Sequence, residues 1–118
     1  MCYLYIALRF KDSAIKAGFS KEPKQRMFGL FKPGEGSLLF LRKVQTSFAG
    51  EDNLHYHLRN YSIGKEWYEC TIETALQALN LVANNLILGI PPTKEASLYK
   101  HRGKKSIPPI KTTLEIEL

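Results

Sequence analysis

At 118 residues, 44% hydrophobic and 24% charged, the chain carries apolar material for one core and leaves no room for a second domain. Its net charge of +6 and pI near 9.4 favour a polyanionic partner, nucleic acid or an anionic membrane surface, without choosing between them. No apolar run approaches the roughly 20 residues of a membrane span, and two cysteines, Cys2 and Cys70, are too few for a disulfide framework and lack the clustering of a zinc site, so a reducing, cytoplasmic setting fits.

Residues 2–8 (CYLYIAL) are rich in aromatic and aliphatic side chains and read as a strand. The stretch carries no basic leader and no small-residue cleavage site. Lys11-Asp12-Ser13 marks a turn, and residues 14–19 (AIKAGF) read as a second strand, closing a hairpin. A helix is expected next, with Ser20 as N-cap, Pro23 in the first turn and an end near Leu30. KPGEG (32–36) is a loop, and SLLFLRKVQT (37–46) a buried strand. Ser47 is the candidate N-cap of a helix over 48–60, on which Leu54, Leu58 and Tyr61 share a face. Glu51 and His55, four residues apart, project together from it.

Ser62-Ile63-Gly64 breaks that helix, and residues 66–70 read as a short strand. Thr71 is expected to cap a long amphipathic helix over 72–88, ended by Gly89 and by Pro91-Pro92. The remainder, 93–118, is a basic extension. The first 92 residues hold eleven Lys/Arg against eight Asp/Glu, so half of the net charge lies in this tail, with Lys100, Arg102, Lys104 and Lys105 at its centre. These elements give the order ββαβαβα: an α+β domain over 1–92, built on a small mixed, largely antiparallel sheet flanked by helices.

Several short pieces, in order, resemble the GIY-YIG nuclease superfamily. Tyr3-Leu4-Tyr5 stands at its first motif, with Tyr5 at the tyrosine position. Lys16-Ala17-Gly18-Phe19-Ser20 stands at its second, with Lys16 where most branches have tyrosine. Arg26 follows at the spacing of the family's helical arginine, and residues 49–58 resemble its glutamate helix, with Glu51 as the glutamate. Gly64-Lys65-Glu66-Trp67-Tyr68 is similar to the gEWF element of a branch common in phage proteins, the meiotically up-regulated gene type. The resemblance covers residues 2–70. Tyr3 replaces the first-motif glycine, and no counterpart of the C-terminal asparagine of other branches is present.

The resemblance implies a metal-dependent endonuclease acting on nucleic acid, DNA ahead of RNA. Phosphodiester hydrolysis needs an activated water, a Lewis acid and stabilisation of added negative charge. Glu51 is then expected to bind one divalent cation, Mg²⁺ in the first place and Mn²⁺ in the second. Arg26 would grip the phosphate, Tyr5 would act as general base or orient the water, and Lys16 would depress that phenol or contact phosphate itself. His55 would shuttle a proton or orient Glu51. Lys16, Arg26 and the tail's Lys100, Arg102, Lys104 and Lys105 are the expected nucleic-acid contacts. One active site cuts one strand, so duplex cleavage would call for a homodimer or two encounters. Two other readings keep the fold: a nucleic-acid-binding module with altered catalysis, and a phage-type inhibitor that binds protein. Taken singly, Gly18 reads as a close-packing strand glycine, Trp67 and Tyr68 as core, and Asp52 as solvated.

Overall fold

The computed structural model of the chain describes residues 2–44, 48–91 and 93–95. Strand β1 (Cys2–Arg9) is central and pairs antiparallel with both β2 (Ile15–Ser20) and β3 (Gly36–Val44). The β1–β2 turn is held from within: Asp12 accepts both Nε and an Nη of Arg9, at 2.9 and 2.8 Å, and its carboxylate also accepts the Ala14 N–H. The Arg9 guanidinium beside it holds the exposed Asp12 carboxyl down at about 2.

Helix α1 (Pro23–Leu30) begins later than its expected cap implies. Ser20 does not cap it; its hydroxyl accepts the Glu22 N–H at 2.9 Å and closes a turn before the helix starts. Helix α2 (Phe48–His57) is shorter than the expected 48–60, and a single 3-10 turn over Arg59–Tyr61 completes the span. The expected cap, Ser47, lies outside the described residues.

The segment after α2 is the main departure. In place of one strand over 66–70, the chain forms a tight hairpin of β4 (Ser62–Gly64) and β5 (Trp67–Tyr68). Its two loop residues, Lys65 and Glu66, have φ of 50° and 69°. Left-handed backbone at both loop positions is the geometry that twists a two-residue hairpin correctly, and it ordinarily calls for Asn-Gly. The sheet order is β3-β1-β2-β5-β4, and every pairing is antiparallel, in line with the largely antiparallel sheet expected. Cys70 falls in a bend beyond β5, not in a strand, and burial pushes its thiol up to about 11; Cys2 is buried in β1.

Helix α3 (Ile72–Leu88) forms as its ends dictate. Thr71 Oγ1 accepts the Thr74 N–H at 3.0 Å, and Gly89, at φ 74°, lets Ile90 N–H reach back to the Asn85 carbonyl.

Alternation along β1 divides the core. Leu4 and Ile6 pack with Leu54 and Leu58 and with Ala75, Leu79 and Val82 of α3. Tyr5 and Ala7 lie on the other face with Phe31, Met27 and Leu30. The sheet therefore carries α2 and α3 on one side and α1 on the other. Among the described residues, no helix is long and apolar enough to cross a membrane.

The left-handed Lys65 is a point of backbone strain. Lys65→Asn, which tolerates that conformation at lower cost, is expected to stabilise the fold by up to about 1 kcal/mol in urea denaturation; an unchanged or lower midpoint would show that the turn is not strained.

Candidate functional site

The site forms where β2 loses a neighbour. Strand β5 pairs with β2 only at Ile15–Tyr68 and Lys16–Trp67. Beyond that pair the Ala17 N–H reaches the Glu66 carbonyl of the hairpin loop at 3.4 Å, and the edge then faces α2. The buried ring of His55 fills the gap, its Nε2 donating to the Ala17 carbonyl at 2.8 Å and its plane stacked on Tyr68 at 6.0 Å. Because Glu51 sits one turn before His55, this contact sets the carboxylate at the sheet edge. The loop brings a second one: one donor atom each from Glu51, His55 and Glu66 lie within 4.8 Å of one another.

Tyr5 and Lys16 come from the sheet itself, on the face that carries α1. Tyr5 is buried and stands opposite Gly18 in the register. A Cβ on Gly18 would lie 2.7 Å from the Tyr5 hydroxyl oxygen and 2.8 Å from its ring carbon, so the glycine is what lets the ring lie across β2. The close approach at Gly18 is thus made by Tyr5. Arg26, exposed on α1, donates from Nε to the Tyr5 hydroxyl at 3.4 Å, a long and weak bond. Lys16, buried, donates from Nζ to the Lys65 carbonyl at 3.2 Å and pairs with Glu66 Oε1 at 3.4 Å. Its Nζ also sits 5.3 Å from the centre of the Trp67 ring, which Arg9 stacks at 4.1 Å. Tyr68 is core; Trp67 is half-buried and shared between those two cations.

Burial dominates the protonation of the sheet pair. It raises the Tyr5 pKa; Arg26 works against it, and the charges of Glu66 and Glu51 add to it. The outcome is a raised phenol, where a depressed one was expected. Burial lowers the Lys16 pKa, with the charge and hydrogen bond of Glu66 opposing and Arg26 adding to the fall. The hydrogen bond that Arg26 donates to Tyr5 leads the causes that raise the Arg26 pKa. At neutral pH the phenol therefore keeps its proton: its oxygen accepts from Arg26, and its O–H is available to donate.

The structure thus brings Tyr5, Lys16, Arg26, Glu51 and His55 into one region, although they span fifty residues of chain. It adds Glu66, to which the sequence alone assigns no role. The one available signal is the 64–68 element itself, whose glutamate reads as the start of a strand. The basic residues Lys100, Arg102, Lys104 and Lys105 lie outside the described residues. Two carboxylates and one imidazole, whose Nε2 donates to a backbone carbonyl, form a donor set that fits a divalent cation.

The family profile of the T5orf172 domain matches residues 2–83, which contain every one of these side chains. The chain belongs to the T5orf172 domain family. That domain is found in phage and nuclease-like proteins. No curated protein and no solved structure matches the chain. The T5orf172 match ends inside α3, so the paired elements β1–β5 and the whole polar cluster belong to the family domain.

Two outcomes follow from the packing of Tyr5. Gly18→Ala is expected to cost about 1–3 kcal/mol by overpacking and to displace the Tyr5 ring, seen in near-ultraviolet circular dichroism. In a pH-difference absorbance titration, the component missing from Tyr5→Phe should ionise above the ordinary phenol value. Within that window the folded chain keeps a proton that the unfolded chain has lost, so Tyr5 erodes stability as pH rises through it and has no effect below. A component that titrates at or below the ordinary value would show the phenol to be solvated.

Proposed function

We propose that this T5orf172 domain is a metal-dependent endonuclease of the GIY-YIG type that hydrolyses phosphodiester bonds in nucleic acid, DNA ahead of RNA. The observation that carries the reading is the convergence of the Arg26–Tyr5 pair with the carboxylate of Glu51 across the open edge of β2. Arg26 and Glu51 lie on different helices, α1 and α2, on opposite faces of the sheet, and the charges of both act on Tyr5.

Glu51 would hold a divalent cation, Mg²⁺ or Mn²⁺, with His55 and Glu66 beside it. When bound, such an ion supplies Lewis acidity to the phosphate and acidifies water. Arg26 is exposed and its bond to Tyr5 is long, so it can swing to a phosphate and offer its planar fork to two oxygens. Tyr5 stays neutral and donates its O–H to the attacking water or to a phosphate oxygen, as a positioning group rather than a base. Lys16, held by Glu66 and the Lys65 carbonyl, supplies fixed positive charge to the phosphate under attack. The His55 ring, anchored on Ala17, orients Glu51 from one turn away. The net charge of +6, half of it in the tail, favours a polyanion as partner.

The test is nicking of supercoiled plasmid, and cleavage of labelled single-stranded DNA and RNA, with Mg²⁺ or Mn²⁺. Glu51→Gln and Arg26→Ala are each expected to lower the rate by about 10²-fold or more, with nucleic-acid binding kept in Glu51→Gln. Cleavage that survives Glu51→Gln would remove the metal role. Binding that is weakened by salt, with no cleavage in any arm, would leave a non-catalytic nucleic-acid module, the reading that the raised Tyr5 pKa favours second.

A further inference from the structure

We propose that Glu66 and His55 are cation ligands together with Glu51, and that this mixed nitrogen–oxygen site takes a first-row transition ion such as Mn²⁺ in preference to Mg²⁺. The inference rests on the endonuclease reading for its purpose but not for its geometry. One donor atom of each of the three side chains lies within 4.8 Å of the other two. A first-row ion holds N and O donors at roughly 2.0–2.2 Å, so two of its ligands stand at most about 4.4 Å apart. A rotamer adjustment of the half-buried carboxylates closes that difference, while the His55 ring stays fixed between Ala17 and Tyr68.

Three features make this more than two acids near a helix. The His55 ring is 1% exposed, and its tautomer is set by Ala17, as is usual for a ligating imidazole whose other nitrogen donates to a carbonyl. Glu66 occupies a left-handed loop position, φ 69°, where a glycine would be at ease, and that conformation delivers its carboxylate to the open edge of β2. Glu66 is also the partner of Lys16 at 3.4 Å. A carboxylate has about four lone-pair sites, so it can hold the lysine on one and ligate through another. Affinity for a nitrogen–oxygen site rises along the first-row series from Mn²⁺ upward, whereas Mg²⁺ demands near-ideal octahedral oxygen and parts reluctantly with water.

The experiment titrates the full metal-free chain, without nucleic acid, with MnCl₂ and with MgCl₂. Isothermal calorimetry gives affinity, and quenching of Trp67, the single tryptophan and the neighbour of Glu66, reports Mn²⁺ at the site. One Mn²⁺ per chain is expected, bound at least tenfold more tightly than Mg²⁺. Glu66→Gln should weaken Mn²⁺ tenfold or more and reduce the quenching, and His55→Gln should shrink the preference for Mn²⁺ over Mg²⁺. Glu66→Gln keeps an oxygen that can accept from Lys16, so it tests the idea even if His55→Gln does not fold, and far-ultraviolet circular dichroism checks the fold of both. Equal affinity for the two ions, or Mn²⁺ affinity untouched by Glu66→Gln, overturns the proposal. If Glu51→Gln abolishes Mn²⁺ binding while Glu66→Gln leaves it intact, the three-ligand site fails and the endonuclease reading stands. Selective Mn²⁺ binding lost in Glu66→Gln, with no cleavage of any nucleic acid, upholds the site and removes the nuclease.

Discussion

The hydrogen bond from His55 Nε2 to the Ala17 carbonyl organises everything near the polar cluster. A backbone carbonyl on an unpaired strand edge, if buried, needs a donor, and leaving it without one costs on the order of 1–3 kcal/mol. Strand β5 is only two residues long and stops at the Lys16–Trp67 pair, so it cannot supply that donor. The helix α2 does, with a side chain. Once the ring is seated between Ala17 and Tyr68, the pitch of α2 leaves no choice about Glu51: it stands one turn away, at the same edge. A structural requirement of the sheet thereby places an acid beside a buried lysine and tyrosine.

The charges that meet there are balanced in a particular way. Lys16 and Tyr5 are both buried, and burial acts on each towards the neutral form. Glu66 opposes this for Lys16 and reinforces it for Tyr5, because a carboxylate favours a nearby cation and disfavours a second anion. The result separates the two sheet residues: one leans on an acid to keep its charge, the other keeps its proton. Arg26 is different. It is exposed, so it carries no comparable desolvation penalty, and its long bond to Tyr5 leaves it free to exchange that partner for a more strongly charged one.

What could be read from the sequence was whatever is determined within a few residues. The ends of α3 were legible because Thr71 and Gly89 act on their own neighbours. The β1–β2 hairpin was legible for the same reason, through the turn around Asp12. The Ser20 cap failed because a hydroxyl there could serve a turn as well as a helix, and Pro23 sets where the helix begins. The β4–β5 hairpin was hidden by its own loop, since Lys-Glu is a poor match to left-handed backbone and gave no turn signal. Of the site, the side chains that stand in motifs were found one by one, including His55 at helical spacing from Glu51. Glu66 was not, because its proximity to Glu51 depends on how β5 registers against β2, a tertiary fact with no local trace.

That hidden loop bears on why the chain tolerates strain at all. A left-handed non-glycine residue costs of order 1 kcal/mol or more, and the loop carries two in succession. Asn-Gly would make the better turn, yet Glu66→Gly would remove the carboxylate partner of Lys16 and leave a buried cation with a carbonyl and the Trp67 ring. An uncompensated buried charge is far more costly than a strained turn. The hairpin is thus held in its unfavourable conformation by the electrostatics of the lysine it covers. The same carboxylate that keeps Lys16 charged is the one delivered to Glu51 and His55, so the strain, the ion pair and the donor cluster are three consequences of a single side chain.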